Sequence, residues 1–191
     1  MPIAKSLRSL KFNFSTIFMI SSPSEEIFPI VDEDGNTIGE APRSVCHDGK
    51  SMLLHPVVHL HLFNSKGELF LQKRSNSKDI QPGKWDTSVG GHVDPGEKIE
   101  KALLREAFEE LGLRGFNPVY LGRYVWKSPR EREQVNSYST TSDTPPVINK
   151  DEIADGRFRT VTEITDSLGK DLFTPNFEYE FNLVLKDSAK V

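Results

Sequence analysis

The sequence is poor in cysteine, in long apolar runs and in charge of one sign, and each shortage excludes a class of protein. Its 191 residues include one cysteine, Cys46, which excludes an internal disulfide framework and a metal site built from several cysteines. No stretch approaches the roughly 18 consecutive apolar residues of a membrane-spanning helix, so no membrane partner is expected. A formal net charge of −4 provides no overall attraction to nucleic acid, which is not an expected partner.

The first part of the chain differs in composition from the rest. Residues 1–24 contain lysine and arginine but no acidic residue, and they are rich in serine. We interpret them as a loosely ordered N-terminal extension, although an organelle transit peptide has the same composition. A secretory signal is not expected, because polar residues interrupt the apolar run over residues 12–20. We therefore predict one folded domain over residues 25–191, in a reduced, cytoplasmic protein.

Glycine, proline and asparagine divide the chain into short strands and helices. In residues 56–63, apolar side chains at 58, 60 and 62 alternate with His59 and His61, which indicates a strand in which these histidines are packing or surface residues. Further strands are predicted over residues 26–31, 68–74, 85–93, 119–126, 132–140 and 157–161, and helices over 97–111, over 162–168 and from Pro175. This set indicates an α+β or α/β domain with a mixed sheet.

The helix over residues 97–111 has a face of carboxylates. At 100° per residue, Glu106, Glu109 and Glu110 fall within an arc of about 100°, and a predicted core stripe of Leu104, Ala107, Phe108 and Leu111 lies nearly opposite. Like charges at these spacings repel each other, and a hard divalent cation would compensate because it favours oxygen ligands. A solvated acidic face is the alternative. The preceding Gly90-Gly91 favours the metal site, because it lets the backbone approach a ligand closely.

Residues 91–113 resemble the Nudix box, G-x5-E-x7-R-E-U-x-E-E-x-G-U, in which U is a bulky aliphatic residue. The fixed positions are filled in order by Gly91, Glu97, Arg105, Glu106, Glu109, Glu110, Gly112 and Leu113. Ala107 departs from the pattern, since a larger side chain is usual at the first U. The resemblance covers roughly residues 28–185 and includes Pro82-Gly83-x-Trp85 ahead of the box, which is typical of the family.

The resemblance implies the Nudix fold, an α/β/α sandwich with a central mixed β-sheet flanked by helices. It also implies metal-dependent hydrolysis of a diphosphate linkage, in a nucleoside diphosphate linked to another moiety or a similar small molecule, by attack of water on phosphorus. By this resemblance Glu106, Glu109, Glu110 and the Gly91 carbonyl hold Mg²⁺ or Mn²⁺, and Arg105 and Glu97 orient the ligands. The candidates for the general base are Glu131, Glu133 and Glu152, of which we favour Glu152. Dimerisation is common in the family, and the sequence leaves a homodimer open.

The residues before the box are similar to one branch, the hydrolases related to type I isopentenyl diphosphate isomerase. The isomerase needs a cysteine in the strand before the box, where this sequence has Gly90, so isomerase activity is kept only as an alternative. A non-catalytic nucleotide-binding module is a second alternative, although such modules usually lack box glutamates. In the isomerase a separate metal site uses residues that resemble His47, His55, His92, Glu131 and Glu133. The sequence leaves open whether that site exists here.

Overall fold

The computed structural model describes residues 25–185, so the predicted extension over residues 1–24 and the last six residues of the predicted domain, 186–191, lie outside the described residues. The strands are β1 (Ile27–Val31), β2 (Thr37–Pro42), β3 (Leu54–Phe63), β4 (Leu69–Arg74), β5 (Trp85–Asp86), β6 (Val89–His92), β7 (Val119–Lys127), β8 (Arg132–Thr141) and β9 (Ile153–Arg159). The helices are α1 (Arg43–Cys46), α2 (Ile99–Leu111), α3 (Val161–Ser167) and α4 (Pro175–Glu180), which continues into a π-helical turn over Phe181–Leu185. Between residues 25 and 185, none of the helices combines the length and apolar character needed to cross a membrane.

A mixed seven-stranded sheet, with β3 near its middle, forms the centre of the domain. Strand β3 pairs in parallel with β8 along its whole length and antiparallel with β6. Strand β4 meets β3 only at Phe63 and Leu69, and it pairs antiparallel with β9 and β5. Strands β3 and β4 pair at one end only. The consecutive strands β5 and β6 also connect them, because β5 pairs with β4 and β6 pairs with β3.

Helices cover both faces of this sheet, as the predicted α/β/α sandwich requires. On one face, the even-numbered apolar residues of β3 pack with Leu103, Ala107 and Leu111 of α2. On the other, β4 packs with Ile164 of α3 and with Phe177 of α4. The alternation predicted for residues 56–63 is thus confirmed, but both faces of β3 are covered rather than one. Strand β3 contributes side chains to both cores. Fully burying a leucine or phenylalanine side chain stabilises the fold by about 1.5–3 kcal/mol.

A small hairpin completes the fold. Strands β1 and β2 pair with each other, and Phe28 and Ile30 of β1 form a separate apolar cluster with Ala41 and Cys46. Pro29 lies in a strand whose one pairing partner among residues 25–185 is β2, which agrees with the edge positions to which proline is usually confined in sheets. Strand β2 and helix α1 were not predicted, because residues 37–40 are exposed and show no alternation of apolar side chains.

The predicted core stripe of α2 is wrong in part. Ala107 and Leu111 are buried, but Leu104 and Phe108 are 46% and 43% exposed. The buried arc is rotated by about 100° towards the carboxylates, so that Leu103 and Glu110 lie inside it. The helix therefore turns part of its acidic face towards the sheet. It ends as predicted at Gly112, whose φ of 65° is left-handed.

Candidate active site

A cavity of about 510 Å³ draws residues from both helical layers and from the centre of the sheet. A volume of this size is typical of small-molecule sites, which occupy about 300–1,000 Å³. The sequence-predicted site residues that line it are Gly91, Arg105, Glu106, Glu110, Glu131, Glu133 and Glu152. Glu97 and Glu109 lie outside its wall, and the Glu109 side chain is 48% exposed.

Glu106 and Glu110 project from α2 into the cavity wall. Gly91 leaves the space for Glu106, because a Cβ atom built on residue 91 would overlap the Glu106 carboxyl group. Glu110 accepts hydrogen bonds from Gln72 Nε2 at 3.0 Å and from the Gly90 backbone N–H at 3.2 Å. Strands β4 and β6 therefore position both carboxylates.

The electrostatics of this pair favour a bound cation. Burial, with smaller contributions from the carboxylates of Glu109 and Glu152, raises the pKa of Glu106 to about 7 against the lowering effect of Arg105. Burial and the Glu106 carboxylate raise the pKa of Glu110 to about 8. Buried carboxylates with too little positive charge around them are suitable ligands for a hard divalent ion, because such ions prefer oxygen donors. The donor set thus fits Mg²⁺ or Mn²⁺.

Arg105 connects the carboxylates to the loop between β6 and α2. Its Nε and Nη2 donate to Glu97 at 3.1 and 2.8 Å, and its Nη1 donates to Glu106 at 2.7 Å and to Glu109 at 3.3 Å. Nη2 also donates to the His92 carbonyl at 2.9 Å. These contacts hold the carboxylates of Glu97, Glu106 and Glu109 in place, since charge-assisted bonds from the planar guanidinium fix direction as well as distance.

A second group of donors lies in the same region. His47, His55 and His92 each offer a ring nitrogen, and these atoms lie within 4.8 Å of one another. All three Nε2 atoms are buried, and none has a hydrogen-bond partner among the residues that the structure describes. His55 Nδ1 donates to the Leu53 carbonyl at 3.0 Å, which leaves the lone pair on Nε2. The Glu131 carboxylate lies 3.5 Å from His47 Nε2.

These three histidines are neutral in the folded protein. Burial lowers the pKa of His47 to about 4, lowers that of His55 and keeps that of His92 well below its ordinary value. Phe28 stacks on His92 with ring centroids 4.0 Å apart and an interplanar angle of 4°. Neutral imidazoles with free Nε2 atoms are the donor state that zinc and similar ions require. The residues that resemble the isomerase's separate site thus meet in space here, except that Glu133 instead accepts from Asn176 at 3.2 Å.

At the position of the isomerase's cysteine this chain has Gly90, which has no side chain. Gly90 lies in the cavity wall. Cys46 is buried in the β1–β2 cluster and does not line the cavity. The candidate general base Glu152 lies at the cavity rim, where its carboxylate is 3.4 Å from Lys78 Nζ.

Sequence reasoning missed a buried His–Glu–His group. His59 Nδ1 lies 2.7 Å from one oxygen of Glu180, and His61 Nε2 lies 3.0 Å from the other. Glu180 is fully buried. The signal was present in the chain, because Glu180 falls within the apolar stripe of the terminal helix, three residues after Phe177. A charged residue on a buried face requires a partner, and the two histidines supply it.

Comparison with known proteins agrees with this geometry. A family model described as the NUDIX domain matches residues 53–177. The chain is 35% identical over 133 residues to the uncharacterized Nudix hydrolase PA4841 of Pseudomonas aeruginosa, with 70% of this chain and 78% of the relative covered. It is 30% identical over 166 residues to an isopentenyl-diphosphate Delta-isomerase 1 of Photorhabdus laumondii, with 83% and 94% covered.

Among solved structures, the crystal structure of DR0079 from Deinococcus radiodurans superposes with a TM-score of 0.72 at 26% identity. The alignment covers 83% of this chain and 99% of that one. The sandwich described above is therefore a Nudix fold. Because the family model spans most of the chain and includes the complete box, the chain belongs to the Nudix family.

Proposed function

We propose that the protein is a metal-dependent hydrolase that cleaves a diphosphate linkage, in a nucleoside diphosphate joined to another moiety or a similar substrate, by attack of water on phosphorus. The observation that carries this proposal is the complete set of Glu106, Glu109 and Glu110 on α2, with Glu106 and Glu110 in the cavity wall. Mg²⁺ or Mn²⁺ at these residues would neutralise diphosphate charge and lower the pKa of a bound water. The Gly91 carbonyl is the fourth proposed ligand.

Other residues of the box and of the neighbouring strands position these ligands. Gly91 provides the space for Glu106, while Gln72 and the Gly90 N–H hold Glu110. Arg105, anchored on Glu97, holds Glu106 from the other side. Such supporting contacts commonly change metal affinity or activity by about 10- to 100-fold when they are removed.

The cavity also presents positive groups to a diphosphate. Basic side chains line it together with its carboxylates, and they are Arg43, Arg74, Lys78, Arg105, Lys127 and Arg130. Basic groups in a concave site attract and orient phosphate oxygens. This arrangement supports a small anionic substrate rather than a neutral one.

Glu152 is the general base that we propose. Its carboxylate faces the same cavity as Glu106 and Glu110, and it is close enough to raise the pKa of both. It is 42% exposed, so it can pass a proton to solvent. Glu131 is a poorer candidate, because burial and the Glu133 carboxylate raise its pKa to about 8. Glu133 has a raised pKa for the same reason of burial.

We further propose that His47, His55, His92 and Glu131 hold a second metal ion of the kind that prefers nitrogen ligands, such as Zn²⁺. The support is the set of three buried Nε2 atoms without partners within residues 25–185. Three imidazoles and a carboxylate match the donor types of zinc sites. This ion is separate from the one at the box.

The alternatives make different predictions. An isomerase would need the thiol that Gly90 lacks, and a binding module would bind nucleotide without turnover.

A cytoplasmic location also remains a proposal, supported by the single free cysteine, Cys46. A homodimer remains a prediction from the family resemblance.

The experiment is a phosphate- and nucleotide-release screen of the purified protein against a diphosphate library, with Mg²⁺, with Mn²⁺ and with chelator. A metal-dependent hit is then repeated in ¹⁸O-labelled water, where attack on phosphorus places the label in a phosphate product. Glu109→Gln and Glu110→Gln should lower kcat by orders of magnitude, whereas Glu100→Gln, in the first turn of the same helix and outside the proposed ligand set, should not. Full activity in both box variants would refute the metal assignment.

A further inference from the structure

His59 has one ring edge open to the cavity. It lies on β3 directly opposite Gly90 of β6 in the antiparallel ladder, and both residues line the cavity. A Cβ atom built on Gly90 would meet His59 Cδ2 and Nε2, each at 3.6 Å. The missing side chain at residue 90 therefore leaves the Nε2 edge of His59 uncovered, although the residue is only 7% exposed overall.

The opposite edge of the ring is fixed. His59 Nδ1 is hydrogen-bonded to Glu180 at 2.7 Å, and the second oxygen of Glu180 contacts His61. His61 Nδ1 in turn lies 3.1 Å from Thr87 Oγ1. Within residues 25–185, no hydrogen bond engages Nε2 of His59, which leaves this nitrogen to interact with whatever enters the cavity.

The buried carboxylate also sets the charge of the ring. Burial alone would lower the pKa of His59, but the Glu180 carboxylate, helped by Asp86 and Glu133, raises it to about 9. A protonated ring has a hydrogen on both nitrogens. With Nδ1–H bound to Glu180, Nε2–H is a charged donor aimed into a site that also contains Arg74 and Lys78.

We propose that His59 is a substrate-binding residue whose Nε2–H donates a hydrogen bond to a phosphoryl oxygen of the diphosphate, and that Glu180 is the positioning residue that holds its ring. This inference rests on the proposed function, because it assumes that a diphosphate occupies the cavity. A charged N–H donor binds an oxyanion more strongly than a neutral donor does, since charge-assisted bonds are roughly twice as strong as neutral ones.

The test uses methylenediphosphonate, a diphosphate analogue that cannot be hydrolysed, in the presence of Mg²⁺. Its affinity is measured by calorimetry for the wild type and for two matched variants, His59→Gln and His61→Gln. Both substitutions remove a contact to Glu180 from the same strand, but only His59 lines the cavity. We expect His59→Gln to weaken binding by about 10- to 100-fold and His61→Gln to change it little, with both variants shown to be folded by circular dichroism.

A second measurement needs no variant to fold. In the wild type labelled with ¹⁵N-histidine, saturation with methylenediphosphonate should shift the Nε2 resonance of His59 and leave that of His61 in place. An unmoved His59 resonance at saturation, or equal affinity in the two variants, would overturn the inference while leaving diphosphate binding intact. Failure of the wild type to bind the analogue would instead overturn the proposed function, and this inference with it.

Discussion

The carboxyl group of Glu106 lies in the space that a side chain on residue 91 would fill. Gly91 on β6 and Glu106 on α2 therefore have complementary shapes. Residue 91 cannot gain even a methyl group unless Glu106 moves. Two positions of the pattern that are fifteen residues apart thus form one contact in space.

Gly91→Ala should displace Glu106 and lower kcat by at least about tenfold, the scale expected when a metal ligand loses its support. Mg²⁺ affinity should fall as well, and both are measured by steady-state kinetics over a metal titration. Gly39→Ala is the control, because nothing lies within 4 Å of a Cβ atom at residue 39. Equal activity of the two variants would contradict the role given to the Gly91–Glu106 contact.

Arg105→Lys keeps the charge but removes the planar fork, so it should lower kcat by about 10- to 100-fold. Lysine cannot hold Glu97, Glu106 and the His92 carbonyl together, whereas Arg105 contacts all three. The matched control is Arg114→Lys, because Arg114 stacks on Phe108 on the other side of α2. A wild-type kcat in Arg105→Lys would show that the fork does not orient the ligands.

The metal-free protein should lose stability as the pH rises from 4.5 to about 8. Glu106 and Glu110 have folded pKa values of about 7 and 8 against an ordinary value of 4.5. Over this window the folded state therefore binds more protons than the unfolded state, and the free energy of unfolding falls with increasing pH. Mg²⁺ should offset the loss, so the rise in Tm on adding Mg²⁺ should grow across the same window.

Thermal melts in chelator and in Mg²⁺ at several pH values measure this linkage. Glu110→Gln removes one of the two carboxylates, so its metal-free Tm should depend less on pH than that of the wild type. If the Mg²⁺-induced rise in Tm were the same at pH 5 and pH 8, the ion would not be binding at these two glutamates.

The histidine site should take up one transition-metal ion per chain, measured as zinc content after incubation and gel filtration. His55→Ala should abolish this zinc while leaving Mg²⁺ binding at the box unchanged. His61→Gln is the control, because His61 is buried but does not belong to the cluster. Zinc retained at full stoichiometry in His55→Ala would place the ion elsewhere.

The fold and the box were predictable from sequence because each depends on short spacings. Alternation along β3 and the spacing from Gly91 to Leu113 fix local geometry, and both predictions agree with the structure. The rotation of α2 was not predictable from its own residues, because Leu104 and Phe108 are as apolar as those it buries. Glu110 faces inward because Gln72 and the Gly90 N–H donate hydrogen bonds to it, and both partners lie on strands outside the helix.

The contact between His59 and Glu180 could not be predicted from spacing, because 121 residues separate the two. The histidine cluster lies between these extremes. A family resemblance connects His47, His55 and His92, but the Nε2 atoms without partners are visible only in three dimensions. Contacts within one element follow from sequence, whereas contacts between layers follow from the fold.

The cavity is lined by Glu110 from the α2 layer and by Thr174 and Asn176 from the α4 layer. A ligand that fills the cavity would therefore contact both helical layers. Occupancy should slow amide hydrogen exchange in α4 as well as in α2, because local opening of either layer would release the ligand. Ligand binding in the cavity would then couple the two separately packed helical layers into one cooperative unit.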